Sequence, residues 1–214
     1  METFVVRVWL PDRPGVLGAV ASRVGAVRGD VVGIEILERG AGRAIDELVV
    51  QLPDAELVEI MVREIGEIDG VDVEDVRHLG DTAYDPQLDA LDTAARLVDA
   101  RGGALFEQLA AQTARCVECE WLVIVERDSS EVLAGAGQTP ADPWLRAYLD
   151  GVRHSGRLNS PAPVSSDVIW APLPSAHALL VVGREGVPFR ERERRHVAAL
   201  ARIADALSAS AARA

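Results

Sequence analysis

The stretch Pro11-Asp12-Arg13-Pro14-Gly15-Val16-Leu17 constrains this chain more than any other. A strand-like run, Thr3 to Leu10, precedes it, and an amphipathic helix-like run, Val16 to Val27, follows. Two prolines fix φ and withdraw N–H donors, while Gly15 tolerates backbone angles that side-chained residues avoid. The chain must therefore turn sharply from strand to helix. A helix that starts past Gly15 leaves its first N–H groups without intrahelical partners. Those amides and the positive end of the helix dipole suit a small anion such as a carboxylate. The same residues also read simply as a well-made turn.

The next elements follow from periodicity and turn chemistry. Gly29-Asp30 stops the helix, and Val31 to Leu37 reads as a strand, apolar at Val32, Ile34 and Ile36. Gly40-Ala41-Gly42 is a turn into a second strand, Ala44 to Leu52, which Pro53-Asp54 ends. A helix pattern covers Ala55 to Ile65, and Gly70 opens a last strand, Val71 to Val76. The order is β-α-β-β-α-β, the split βαβ arrangement of ferredoxin-like folds.

With that order, Asp12-Arg13-Pro14-Gly15-Val16-Leu17 resembles the first turn of the ACT domain, a small regulatory module that often binds an amino acid. The resemblance spans about Thr3 to Leu79. It implies a ligand at an interface between two copies, held by backbone at the first turn and by a polar residue early in the second strand. The residues so implicated are Asp12, Arg13, Pro14, Gly15, Val16, Leu17, Asp30 and Val31. The family often carries asparagine where Val31 stands, and Asp30 is the nearest polar group. Gly29 to Ile36 is also similar to the ACT segment of some bacterial malic enzymes, but the remaining chain is too short for their catalytic domain.

The second half begins after a linker, residues 80–86, marked by Gly80, Asp81 and Asp85-Pro86. Helix patterns run through Leu88 to Val98 and Leu105 to Thr113. Trp121 to Val125 reads as a buried strand, with Glu131 to Ala136 as its hairpin partner. Pro143 to Val152 is helical in pattern, Gly156 to Ser166 a polar loop, and Val168 to Leu173 and Ala178 to Gly183 are strands. A long helix closes the chain from about Pro188, with Val197, Leu200, Ala201, Ala204 and Leu207 among its apolar residues.

Trp170-Ala171-Pro172-Leu173-Pro174, then Leu179 to Gly183, then Val187-Pro188-Phe189 resemble a shortened GAF domain, a sensory or dimerising module. The short segment between its strand pairs leaves little wall for a cyclic-nucleotide pocket, so dimerisation is the expected use. The expected fold is therefore α+β. A ferredoxin-like βαββαβ (ACT) domain spans residues 1–79, and a GAF-like antiparallel sheet flanked by helices spans 87–214.

Composition bounds the function. The chain has 214 residues, 49% of them hydrophobic, enough for one or two cores. A net charge of −12 argues against sequence-independent nucleic-acid binding. No apolar run approaches the ~18–20 residues that span a bilayer, and no basic leader precedes Thr3, so a cytoplasmic protein is expected. Lysine is absent, which suggests a GC-rich genome such as an actinobacterium's.

Other constellations have bland readings beside the sharp ones. Cys116 and Cys119 stand in C-x-x-C spacing, which fits half a zinc site, a redox pair or two ordinary thiols. Arg190 to Arg195 alternates acid and base and reads as a solvated helix face. Trp9 either walls a pocket at the first turn or covers the helix. Asp46 and Glu47 are neighbours on a strand and face opposite ways, which argues against a shared acid–base site. No nucleophile motif is visible, so no catalytic residue, metal or cofactor is expected. The leading expectation is a non-catalytic homodimeric sensor of a small ligand, most simply an amino acid. The alternatives are a ligand-free interaction protein that assembles an unidentified protein partner, and a thiol enzyme using Cys116 or Cys119.

Overall fold

The structure is a computed structural model that describes residues 1–80, 86–100, 103–154 and 167–211. It divides into two compact units, Met1–Asp85 and Pro86–Ala214. Most of the expected linker and the expected loop Gly156 to Ser166 lie outside the described residues.

In the first unit the order is β1 (Glu2–Pro11), α1 (Val16–Ala26), β2 (Asp30–Gly40), β3 (Arg43–Leu52), α2 (Val58–Gly66) and β4 (Asp72–Gly80). The strands form one antiparallel sheet, β2-β3-β1-β4. This is the ferredoxin-like arrangement. Even-numbered residues of β1 (Phe4, Val6, Val8 and Leu10) meet Val16, Val20 and Val24 of α1 and Met61 and Ile65 of α2 in one core. Strand alternation sends Thr3, Val5, Arg7 and Trp9 to the other face.

The helix after β3 departs from its sequence pattern. Residues Ala55–Leu57 form a 3₁₀ turn, and the Asp54 carboxylate accepts from the Glu56 N–H at 2.9 Å. The α-helix proper begins at Val58.

The expected alternation in β2 also changes. The register shifts between Val31 and Gly33 and again between Ile36 and Glu38. Ile34 and Ile36 pair with Leu48 and Asp46, so they point to the helix-covered side, yet Ile34 is 46% exposed. An edge strand has a neighbour on one side only, which leaves such residues half covered.

The second unit contains α3 (Pro86–Asp99), α4 (Ala104–Val117), β5 (Trp121–Glu126), β6 (Val132–Gly137), α5 (Asp142–His154), β7 (Val168–Leu173), β8 (Ala178–Gly183) and α6 (Glu191–Ala211). Its sheet is antiparallel in the order β6-β5-β8-β7. Central strands β5 and β8 are buried along nearly their whole length, so they read as continuous apolar runs. Both units together are α+β.

The last helix begins at Glu191, later than its proline suggested. Phe189 is fully buried ahead of it. The Glu193 carboxylate accepts the Arg190 N–H at 2.7 Å, half of a capping box. Glu193 also pairs with Arg184 at 2.8 Å, both side chains buried. The alternating run is thus not wholly a solvated ladder. Its Arg195–Glu191 contact, at 4.0 Å, does behave as an exposed i,i+4 pair.

Candidate functional site

The turn at residues 12–15 is built as its residue types demand. Gly15 holds φ at 92°, a left-handed value, and caps α1 without any side-chain hydrogen bond. The first helical bond runs from the Ala19 N–H to the Gly15 carbonyl at 3.0 Å. The amides of Val16, Leu17 and Gly18 therefore precede the ladder. Arg13 donates its N–H to the Pro11 carbonyl at 2.8 Å, and Asp12 donates its N–H to the Gly42 carbonyl at 2.9 Å. The second bond pins the turn to the β2–β3 hairpin. Asp12, Arg13, Pro14 and Gly15 are exposed, Leu17 is half-buried, and Val16 packs inward.

Gly29 has a different purpose. Arg28 takes the left-handed φ of 63°, and Gly29 is needed because a Cβ there would lie 2.8 Å from Leu52 and 2.9 Å from Val24.

Asp30 and Val31 lie far from the turn within one chain. Asp30 pairs with Gln51, which pairs with Thr3, whereas Gly40 pairs with Arg43, which pairs with Pro11. Asp30 and Asp12 thus occupy opposite ends of the sheet, on the order of 27 Å apart at about 3.4 Å per residue. Asp30 is exposed, and Val31 packs against the core beneath the helices.

Two residues near the turn escaped the sequence reading. Arg39, at the end of β2, places its Nε 3.9 Å from the Asp12 carboxylate. Asp46, on β3, faces the helices between Val8 and Ile36 and is only 3% exposed. Its Oδ1 has no hydrogen-bond partner among the described residues. Burial pushes the Asp46 carboxyl above the usual carboxylate range; Arg39 opposes that rise and Asp12 adds to it. Asp12, Arg39 and Asp46 therefore share one electrostatic environment beside α1. The one available signal was a charged residue at an inward position of a strand.

Trp9 neither covers α1 nor lies on its side of the sheet. Its Nε1 donates to Glu74 at 3.0 Å, and the Arg43 guanidinium sits 5.1 Å from its ring centre. Nearby on that face, Glu47 Oε1 accepts from Arg7 Nη2 and Arg77 Nη2, each at 2.7 Å. Asp46 and Glu47 do face opposite ways, as expected from strand alternation.

Cys116 lies in the last turn of α4, with the Thr93 hydroxyl 3.7 Å from its sulfur. Burial raises both thiols, Cys119 to about 11. A raised thiol disfavours the thiolate that metal binding and nucleophilic attack require. Among the described residues no cluster of three or more His, Cys, Asp or Glu is placed to hold a metal. No helix among them is long and apolar enough to cross a membrane.

No family model and no curated protein sequence matches this chain. Solved structures similar to it include ACT domains and GAF domains. The chain is similar to an ACT domain protein from Streptococcus pneumoniae, at 12% identity and TM-score 0.32, covering 39% of this chain and 98% of that one. It is also similar to the ACT domain from GTP pyrophosphokinase of Chlorobium tepidum, at 12% identity and TM-score 0.30, covering 37% and 100%. A GAF domain from an Acinetobacter phosphoenolpyruvate-protein phosphotransferase matches at 14% identity and TM-score 0.42, covering 61% and 97%. Strand order and register, given above, define the fold independently of these likenesses.

Proposed function

We propose that this chain is a non-catalytic regulatory protein whose first unit binds a free amino acid between two copies. The observation that carries the reading is the first turn of α1: its amides are uncapped by any side chain, in a turn pinned to the neighbouring hairpin. The amides at Val16 and Leu17 receive the carboxylate, and Asp12 of the same copy or Asp30 of the other receives the ammonium group. Asp46 adds negative potential beside Asp12, which favours a zwitterion over a plain dicarboxylate.

A two-fold axis just outside the edge of β2, level with its middle and normal to the sheet, reconciles the distant positions of Asp12 and Asp30. It pairs the β2 edge with its own copy in antiparallel fashion. The Asp30 end of one strand then meets the Gly40 end of the other, beside the turn. The open edge of β2 and its exposed Val32, Ile34 and Ile36 suit that pairing.

Titration calorimetry of the full chain against the twenty amino acids tests the reading. Heat with at least one, reduced by Asp12→Asn, is expected; no heat with any overturns it. Val31 favours a second reading, a ligand-free interaction protein, because it offers no polar group and packs against the core. That reading expects a dimer that takes up none of the twenty.

A further inference from the structure

Asp46 breaks the pattern that the rest of its strand face obeys. On the helix-covered side of β3 its neighbours are Ala44, Leu48, Val50 and Leu52, all members of the apolar core. Asp46 sits among them only 3% exposed, and its Oδ1 has no hydrogen-bond partner among the described residues. A buried acceptor left unsatisfied costs free energy, so such an oxygen points to a donor that reaches it in the working state.

Its position leads to the first turn. On this face Leu10, Ala44 and Arg39 form the row of residues nearest the turn, and Val8, Asp46 and Ile36 form the row beneath. The rows lie about 7 Å apart, two residues at about 3.4 Å each. The Asp46 carboxyl rises off the sheet on the helix-covered side, and Ala44 puts only a methyl group between it and the turn end of β3. Arg39 and Asp12, 3.9 Å apart and both substantially exposed, are the charges that Asp46 senses. The way down from the turn therefore passes an exposed arginine side chain, not packed backbone.

We propose that Asp46 is the specificity-determining residue of the turn site: it accepts a hydrogen bond from an uncharged polar side chain, a hydroxyl or carboxamide, on the amino acid held there. The inference rests on the amino-acid reading and narrows its ligand class. With the ligand carboxylate on the amides of Val16 and Leu17 and its ammonium group beside Asp12, the side chain is the part left to point toward Asp46. An acidic side chain would meet another carboxylate and is excluded. A cationic one must give up its hydration to enter a buried place, a cost that pairing need not repay. An aliphatic one leaves Oδ1 as it was. A hydroxyl or an amide N–H costs less to desolvate than an ion and completes the acceptor. Val8 and Ile36, on either side of Asp46, give the carbon atoms of that side chain apolar walls.

Titration calorimetry of the full chain with near-isosteric pairs tests this without any substitution. Threonine is expected to bind at least about tenfold more tightly than valine, and asparagine than leucine. In Asp46→Val, whose new side chain suits an inward strand position, each gap closes to within about twofold. Equal binding of threonine and valine by the unaltered chain overturns the proposal and leaves Oδ1 to a trapped water. A gap that survives in Asp46→Val also overturns it, as does lysine or arginine binding more tightly than both threonine and asparagine. Failure of the amino-acid reading itself looks different: then none of the twenty gives heat, valine and leucine included.

Discussion

Removing the Glu193 carboxylate should unfold the second unit far more easily, and the size of the effect follows from the contacts. Arg184 donates Nε to the Val187 carbonyl at 2.7 Å, Nη1 to the Val117 carbonyl at 2.9 Å and Nη2 to the Pro188 carbonyl at 3.2 Å. The two remaining donors meet the two Glu193 oxygens, each at 2.8 Å. All five N–H groups of the guanidinium are thus engaged, and its face lies 4.1 Å from the centre of the Phe189 ring. The cluster ties the end of α4, the end of β8 and the start of α6 together. In Glu193→Ala a buried cation keeps its carbonyls but loses its counter-charge, and the Arg190 N–H loses its acceptor. Breaking one side of a buried pair costs about 3–5 kcal/mol.

Urea unfolding followed by tryptophan fluorescence reads this directly. Trp121, Trp144 and Trp170 lie in the second unit and only Trp9 in the first, so Trp9→Phe isolates the signal. At a slope of about 2 kcal/mol per molar urea, the Glu193→Ala midpoint falls by about 2 M. Arg184→Met is at least as damaging, because it orphans three carbonyls as well as Glu193. The double substitution Arg184→Met/Glu193→Leu is milder than the sum of its parts by about 2 kcal/mol. A loss under about 1 kcal/mol for Glu193→Ala, or strict additivity, refutes the assignment of this pair as a buried lock.

Gly15→Ala forces a side chain into the left-handed region and costs the first unit about 1–2 kcal/mol, measurable by the same melts. Asp46→Asn should stabilise the first unit at pH 7. Because folding raises the Asp46 pKa, its burial penalty is absent below the ordinary carboxylate range and grows as pH rises through the raised value. The advantage of asparagine therefore shrinks on acidification; a pH-independent difference in Tm would contradict this. Gly183→Ala drives a Cβ into the Trp121 ring and should abolish or severely destabilise the second unit, seen as loss of near-UV dichroism. Cys119, pushed up to about 11, should react with a disulfide reagent at pH 7 many times more slowly than a free thiol.

Legibility in the sequence followed how local each cause was. β7 and β8 begin and end where their apolar runs do, and α1 starts at Val16 because Gly15 takes a left-handed φ that side-chained residues avoid. The β2 bulges were hidden because they depend on what β3 offers across the ladder. The late start of α6 was hidden because its cap reaches from Glu193 back to Arg190, while the same carboxylate holds Arg184, nine residues upstream of it. Periodicity treats a charge as surface, so it passed over Arg184, Glu193 and Asp46 alike. Near the candidate site, residues 12–17 were readable as a tight turn, whereas the approach of Arg39 from β2 and the burial of Asp46 in β3 were not.

That division bears on how the turn can work. Arg39 approaches Asp12 only to 3.9 Å, with both side chains substantially exposed. An exposed pair of this kind is worth about 0–1 kcal/mol. On the amino-acid-binding reading proposed above, an incoming ammonium group replaces Arg39 beside Asp12 at small cost, while the adjacent amides take its carboxylate. Releasing Arg39 also withdraws the charge that restrains the pKa of Asp46, so ligand uptake at the turn should raise it further unless the ammonium takes over that role. Proton uptake on binding, measured as heat that varies with the ionisation enthalpy of the buffer, reports which happens. Uptake is the outcome expected where Arg39 leaves and the ammonium stays with Asp12; heat that does not vary with the buffer contradicts that release.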